Sequence, residues 1–344
     1  MTTPPDKIKA FILNHVSAHP GNIVTYTAQH FRISRMTAHR HLQMLIREAK
    51  VLKTGTTRQS RYYLIDAPFK TLSFKIKDKS DEFSIWKTYF EPTISQFKKN
   101  IYTICEYGFT EIFNNAKDHS NGTLIKASMQ WQKNSIKLTI ADNGIGIFRK
   151  IEQAFHLEKK ENAILELAKG KVTTDPENHT GEGIFFSSQA FDYFSIQANE
   201  LLYMRDNIQH DWYLKAADHK TEGTMVEMIL NLNSHQNIID IFRQYQNPET
   251  LSFDRTHILV ELSKLGDERY ISRSQAKRIT TGLEKFNHIT LDFKNIEAVG
   301  QGFVDEVFRV FKNKHPTITI DYVHTNKEVL FMIQRSTNFS QNPF

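Results

Sequence analysis

Five groups of residues in this 344-residue chain combine side-chain type and spacing in ways that chemistry can use. Glu111, Asn115 and Asp118 stand four and three residues apart, so a helix would stack them on one face. A carboxylate and a carboxamide placed this way can align a water and an Mg²⁺ ion for attack on a phosphoryl group. Alone, the same spacing also suits an exposed polar helix face. Asp142-Asn143-Gly144-Ile145-Gly146 sets a carboxylate before two glycines, and the missing Cβ atoms let a flat ligand come close. Thr180-Gly181-Glu182-Gly183 opens a predicted helix, where backbone N–H groups bind phosphate readily. Gly223-Thr224 precedes a strand at 225–230. The fifth group is basic and hydroxylic, with Ser34, Arg35, Thr37 and Arg40 in one run and Arg58 and Arg61 in another.

These groups require elements to hold them. Ile8, Phe11, Ile12 and Val16 recur at helical spacing and predict a helix over 6–19, which Pro20-Gly21-Asn22 ends. A short helix over 26–31 follows. Ser34 is a suitable N-cap for a third helix reaching about Lys50, with Ala38, Leu42, Leu45 and Ile46 as its apolar stripe. That stripe turns Arg35, His39, Arg40 and Arg47 elsewhere. Residues 51–53 and 61–65 predict two strands joined by a polar tip over 54–60. Further on, a long helix carries Glu111 and Asn115, and 124–131 and 135–140 alternate as an antiparallel pair that delivers Asp142 to a strand end. Beyond 236, strands at 256–262, 288–293 and 317–322 alternate with helices at 272–286, 302–312 and 326–334. That alternation predicts a small α/β domain with a mainly parallel sheet.

Composition narrows the classes. Cys105 is the only cysteine, so no internal disulfide framework can form and a reducing, cytoplasmic setting is expected. The first residues lack an apolar signal core, and no apolar run reaches the ~18 residues of a membrane span, so no membrane partner is expected. The net charge of +6 is unevenly placed: residues 1–66 hold ten Lys and Arg against three acids, a net of +7, which leaves −1 for the other 278 residues. Clustered positive charge is the footprint of a module that meets a polyanion.

Three helices and a basic hairpin within 66 residues resemble a winged helix-turn-helix, and 33–42 resembles the recognition helices of bacterial winged-helix regulators. The resemblance implies DNA binding: Ser34, Arg35, Thr37 and Arg40 would reach bases or phosphates in the major groove, and Arg58 and Arg61 would hold the backbone. A winged helix used for protein contacts is the alternative. The ordered series E-x-x-x-N, D-x-G-x-G, T-G-x-G and G-T over about 70–232 resembles the ATP-binding domain of the GHKL superfamily, and its first motif is most similar to anti-sigma-factor serine kinases. That resemblance implies a two-layer α/β sandwich of the Bergerat type binding ATP and Mg²⁺. In it Asn115 would ligate the metal, Asp142 would accept from the adenine amino group, Gly144 and Gly146 would pass under the base, and Thr224 would support it. Gly181 and Gly183 would approach the phosphates, Glu111 would act as general base, and 158–180, with Lys169, Lys171, Thr173 and Thr174, would be a mobile lid. No segment resembles the dimerisation helix carrying the phosphoacceptor of sensor kinases, so histidine kinase activity is not expected.

Residues 291–296 and 300–303 resemble STAS domains, although Gly300 and Gln301 stand where the antagonists of that family carry a phosphorylatable serine. The expected organisation is therefore multidomain α+β: a winged helix over 1–66, a GHKL ATPase over 67–235 and a STAS-like α/β domain over 236–344. The expected function is an ATP-responsive, Mg²⁺-dependent transcription regulator. The alternatives are a serine kinase acting on a separate partner and a non-catalytic nucleotide-binding interaction module. A protein partner or homodimer through the second and third domains is also expected.

Overall fold

The computed structural model describes residues 4–341 except 49, 55–59, 65–67, 78–80, 96, 133, 176, 178–179, 218–220 and 265–269. The chain is mixed α/β and divides into two compact units, one formed by 1–144 with 191–235 and the other by 145–190 with 236–344. The division differs from a partition along the chain, because 145–190 groups with the C-terminal residues.

The first unit begins with three helices, α1 (Pro5–His15), α2 (Ile23–Phe31) and α3 (Arg35–Arg47), followed by an antiparallel pair, β1 (Val51–Thr54) and β2 (Arg61–Leu64). Ile8, Ile12, Val16, Ile23, Leu42, Leu45, Val51 and Tyr62 form one buried cluster, to which the first and third helices bring residues of the apolar stripes their spacing predicts and the second brings Ile23. Ser34 caps α3, its hydroxyl accepting the Thr37 N–H at 3.0 Å. The ribbon is tied back by the Tyr62 N–H, which donates to the Pro20 carbonyl at 2.9 Å. Tyr63 meets Trp131 of the following sheet at 5.5 Å between ring centroids.

That sheet has seven strands in the order β3-β4-β5-β9-β6-β7-β8: β3 (Pro68–Lys75), β4 (Leu124–Gln132), β5 (Ser135–Asp142), β6 (Tyr193–Ala198), β7 (Leu201–Asp206), β8 (Asp211–Ala216) and β9 (Thr224–Asn231). Every neighbouring pair is antiparallel. Alternate residues of the central strands are buried, among them Ile125, Met129 and Trp131 on β4, Ile136, Leu138 and Ile140 on β5, and Val226, Met228 and Leu230 on β9. The Lys99–His119 helix packs on β4, β5 and β9. Gly108 permits the close approach, since a Cβ there would fall 2.3 Å from the Phe191 ring.

In the second unit three parallel strands, β10 (Arg255–Leu259), β12 (His288–Asp292) and β14 (Thr319–Val323), form a sheet with β12 central, beside a short parallel pair, β11 (Tyr270–Ile271) and β13 (Ala298–Val299). Helices Arg273–Thr280, 301–314 and Lys327–Gln341 follow these strands, and Ile147–Ala154, Asn162–Lys169, Gly183–Ala190 and Ile238–Tyr245 belong to the same unit. Phe303 and Phe311 of the middle helix are core residues, and Phe308 packs edge-on against Tyr322 at 5.9 Å.

Candidate functional site

In the first unit, the Lys99–His119 helix buries Phe109, Ile112, Phe113 and Ala116, leaves Glu111 and Asn115 half-buried, and exposes Asp118. Asn115 Nδ2 donates to the Glu111 carbonyl at 2.8 Å, which commits the amide nitrogen to the helix itself. Past the helix end, Ser120 is buried and its hydroxyl accepts the Gly122 N–H at 3.0 Å. Asn143 Oδ1 accepts the N–H groups of Thr123 and Leu124 at 2.8 and 2.9 Å, lacing the helix exit to the turn that follows β5.

Asp142 ends β5 and is buried, at 9% exposure. Its Oδ1 accepts the Gly144 N–H at 2.8 Å and the Thr224 N–H at 3.2 Å. Burial pushes its carboxyl above the usual aspartate range, against the opposing hydrogen bonds from Gly144 and Thr224. Two glycines allow this convergence. A Cβ on Gly144 would fall 1.9 Å from the Ser120 carbonyl oxygen, and one on Gly223, which sits at φ +73°, would fall 2.1 Å from the Asp142 carbonyl oxygen. The structure thus brings Asp142, Gly144 and Thr224 together around one carboxylate and adds Ser120, Asn143 and Gly223, which the candidate set omits. The adjoining His119-Ser120, Asn143 and Gly223 letters of the same motifs were the available signal.

The remaining glycines belong to the second unit. Gly146, at φ +85°, caps the Ile147–Ala154 helix, and Gly183 starts the Gly183–Ala190 helix. Gly181, at φ +71°, accepts the Val172 N–H at 3.2 Å, and a Cβ there would fall 2.6 Å from the Val172 backbone. Within 158–180, the segment expected as a lid, Asn162–Lys169 is a helix that buries Ala163, Ile164, Leu165 and Leu167. The run Ala163-Ile164-Leu165 with Leu167 demands cover, a signal outweighed in the sequence by the surrounding lysines and threonines. Lys169 is itself buried within this unit, where its ammonium is held by Glu166 and two backbone carbonyls.

Near the N-terminus, Ser34, Arg35 and Arg40 are exposed at the start of α3, Thr37 is half-buried, and Arg61 is exposed on β2. Arg58 lies outside the described residues. The Ser34 hydroxyl also pairs with Thr37 Oγ1 at 2.9 Å, so both side chains already shape the helix start. Met36 is 82% exposed between Arg35 and Thr37, and with Arg35, His39, Asn22 and Tyr62 it borders an open depression beside α3.

The second unit holds a cluster that sequence reading passed over. Asp292, at the C-terminal end of β12, is buried, and its carboxylate pairs with His257 Nε2 at 3.0 Å and His324 Nδ1 at 2.8 Å. Burial works to raise its pKa, but bonds from His257, the Lys294 N–H and His324 outweigh it and hold the group at about 2. Its members come from 257, 292 and 324, so no local motif displays it. Among the described residues no group of three or more His, Cys, Asp or Glu is arranged to hold a metal ion, and no helix is long and apolar enough to cross a membrane.

Comparison with known proteins returns no match among curated sequences. Residues 275–330 match the family model of a STAS-like domain of unknown function (DUF4325), which accounts for the parallel β12–β14 pair and the helix between them. The second unit therefore contains a STAS-like domain.

Proposed function

We propose that this chain is an ATP-responsive DNA-binding regulator, with a winged helix at the N-terminus and a GHKL-type nucleotide site around Asp142. The observation that carries the reading is the convergence on Asp142: a buried carboxylate at a strand end, with one oxygen tied to two backbone N–H groups and two glycines that let the chain close around it. A half-desolvated carboxylate of this kind gains from a ligand that donates an N–H, as the exocyclic amine of adenine does. Asn115, with its amide nitrogen committed to the Glu111 carbonyl, would offer its oxygen to Mg²⁺, a hard cation that prefers oxygen ligands. The ion would neutralise phosphate charge, and Glu111 on the same helix would take the proton of the attacking water or hydroxyl. The motif resemblance also assigns Gly146, Gly181 and Gly183 to the nucleotide.

For the N-terminal module, support comes from the capped, arginine-bearing start of α3, the β1–β2 ribbon and the local charge of +7. Nucleotide binding and DNA retention measured on one sample test both halves. The expected result is ATP binding in Mg²⁺, loss of that binding in Asp142→Ala, and retention on bulk DNA at low salt. Normal ATP binding by Asp142→Ala sinks the nucleotide assignment, and no DNA retention sinks the other. Transfer of labelled phosphate from ATP to a second protein, abolished by Glu111→Gln, would instead support the serine-kinase reading.

A further inference from the structure

The second unit joins the STAS-like domain to the segment that carries Gly181 and Gly183. One buried side chain anchors that segment in the domain. Lys169 ends the Asn162–Lys169 helix and is only 2% exposed, although an ammonium has three donors to satisfy. All three find acceptors: Glu166 Oε1 at 2.6 Å, the Arg278 carbonyl at 2.7 Å and the Thr281 carbonyl at 2.8 Å. Those carbonyls belong to the last turn and C-cap of the Arg273–Thr280 helix, where backbone acceptors lack helical partners and the helix dipole is negative. A cation buried there serves as a cap for a helix of the STAS-like domain.

Residues 169–171 also touch that domain and the strand before it. The Lys169 carbonyl accepts the Thr256 hydroxyl of β10 at 2.7 Å. Gly170, at φ +82°, lies against Phe253, and a Cβ there would fall 2.7 Å from its ring. Lys171, itself at φ +55°, donates to the Lys285 carbonyl at 2.9 Å and lies 4.8 Å from the Phe286 ring centroid. The Val172 N–H then donates to the Gly181 carbonyl. Arg278, Thr281, Lys285 and Phe286 all fall within the matched STAS-like residues 275–330.

We propose that the STAS-like domain sets the affinity of the Gly181–Gly183 loop for nucleotide phosphate, with Lys169 as the positioning residue that couples the end of its Arg273–Thr280 helix to that loop. The inference rests on the nucleotide reading above and adds its regulation. A change at that helix end, such as a partner bound to the STAS-like domain, moves the acceptors of Lys169 and with them residues 169–172, whose Val172 N–H is bonded to the Gly181 carbonyl. Reciprocity requires that nucleotide binding also changes the stability of the same helix end.

The test uses the full chain and two ligands. ATP and adenosine binding are measured for the unaltered protein, Lys169→Met and the milder Thr256→Val, and hydrogen exchange is followed over 273–286 with and without ATP. The expected result is a loss of ATP affinity of about tenfold in Lys169→Met, a smaller loss in Thr256→Val, and unchanged adenosine binding. In the unaltered protein ATP should slow exchange over 273–286, a readout that needs no variant to fold. Equal ATP affinity in all three proteins, or unchanged exchange over 273–286 on saturation, overturns the coupling while leaving nucleotide binding intact. Failure of the unaltered protein to bind either ligand overturns the nucleotide reading and this inference with it.

Discussion

At the scale of single residues, Asp142 holds two demands in opposition. In the proposed nucleotide reading its carboxylate is buried to meet a flat ligand, and burial disfavours its charge. A carboxyl whose pKa is raised by folding keeps a proton that the unfolded chain has already released. The folded state is thus relatively favoured near the unfolded value of about 3.8, and loses that advantage as pH rises through the raised value. At neutral pH the buried charge is a standing penalty. Asp142→Asn removes the charge yet keeps an oxygen that can accept the Gly144 and Thr224 N–H groups. The variant should therefore be more stable than the native chain at pH 7, with the gain vanishing in acid. ATP binding should fall, because one amide oxygen must serve both the backbone donors and the ligand. Denaturant unfolding across pH with parallel nucleotide titration checks this, and lower stability at pH 7 would mean that hydrogen bonding outweighs desolvation at Asp142.

At the scale of elements, the readable features were those in which local spacing and burial agree. The Ser34 cap, the α3 stripe and the alternating β4–β5 pair all follow from residues within a few positions of one another. The role of Gly144 was only half readable: its lack of a Cβ is required by the Ser120 carbonyl, a protein contact, before any ligand is considered. The grouping of 145–190 with the C-terminal residues depends on contacts more than a hundred positions apart, such as Lys169 to Arg278, and no periodicity encodes these. The α3 element carries a further consequence in His41. This imidazole is buried, and its Nδ1 has no partner among the described residues. Burial first, then repulsion by Arg40 and Lys9, lowers its pKa. The unfolded chain takes up a proton near pH 6.5 that the folded one resists, so stability is fully present above that pH and is lost as pH falls through it. His41→Leu should flatten the dependence of the unfolding midpoint between pH 7.5 and 5.5. An equally steep profile in the variant would place the responsible group elsewhere.

For the whole molecule, the informative quantity is where the charge lies. A protein of net +6 could hold DNA weakly through its overall field, or through the +7 of residues 1–66 alone. The two modes differ in how affinity responds to salt. Each phosphate contact releases condensed counterions, so a residue in direct contact contributes to the slope of log affinity against log salt, whereas a distant charge contributes little beyond the ~10 Å screening length. Arg35 and Arg40 on α3 and Arg61 on β2 are exposed and belong to the basic module. Arg243 in the second unit is also exposed, paired only loosely with Asp240 at 3.4 Å, and its removal changes net charge by the same amount. Replacing Arg35, Arg40 or Arg61 by alanine should each lower the salt slope by about one, while Arg243→Ala should leave it nearly unchanged. Retention of a labelled duplex measured from 50 to 200 mM salt reads this directly. Four equal responses would show that bulk charge holds the DNA and that α3 and the ribbon have no privileged contact. A selective response would make the first fifth of the chain the DNA-binding surface, and leave a nearly neutral remainder whose chemistry has to be sought at Asp142.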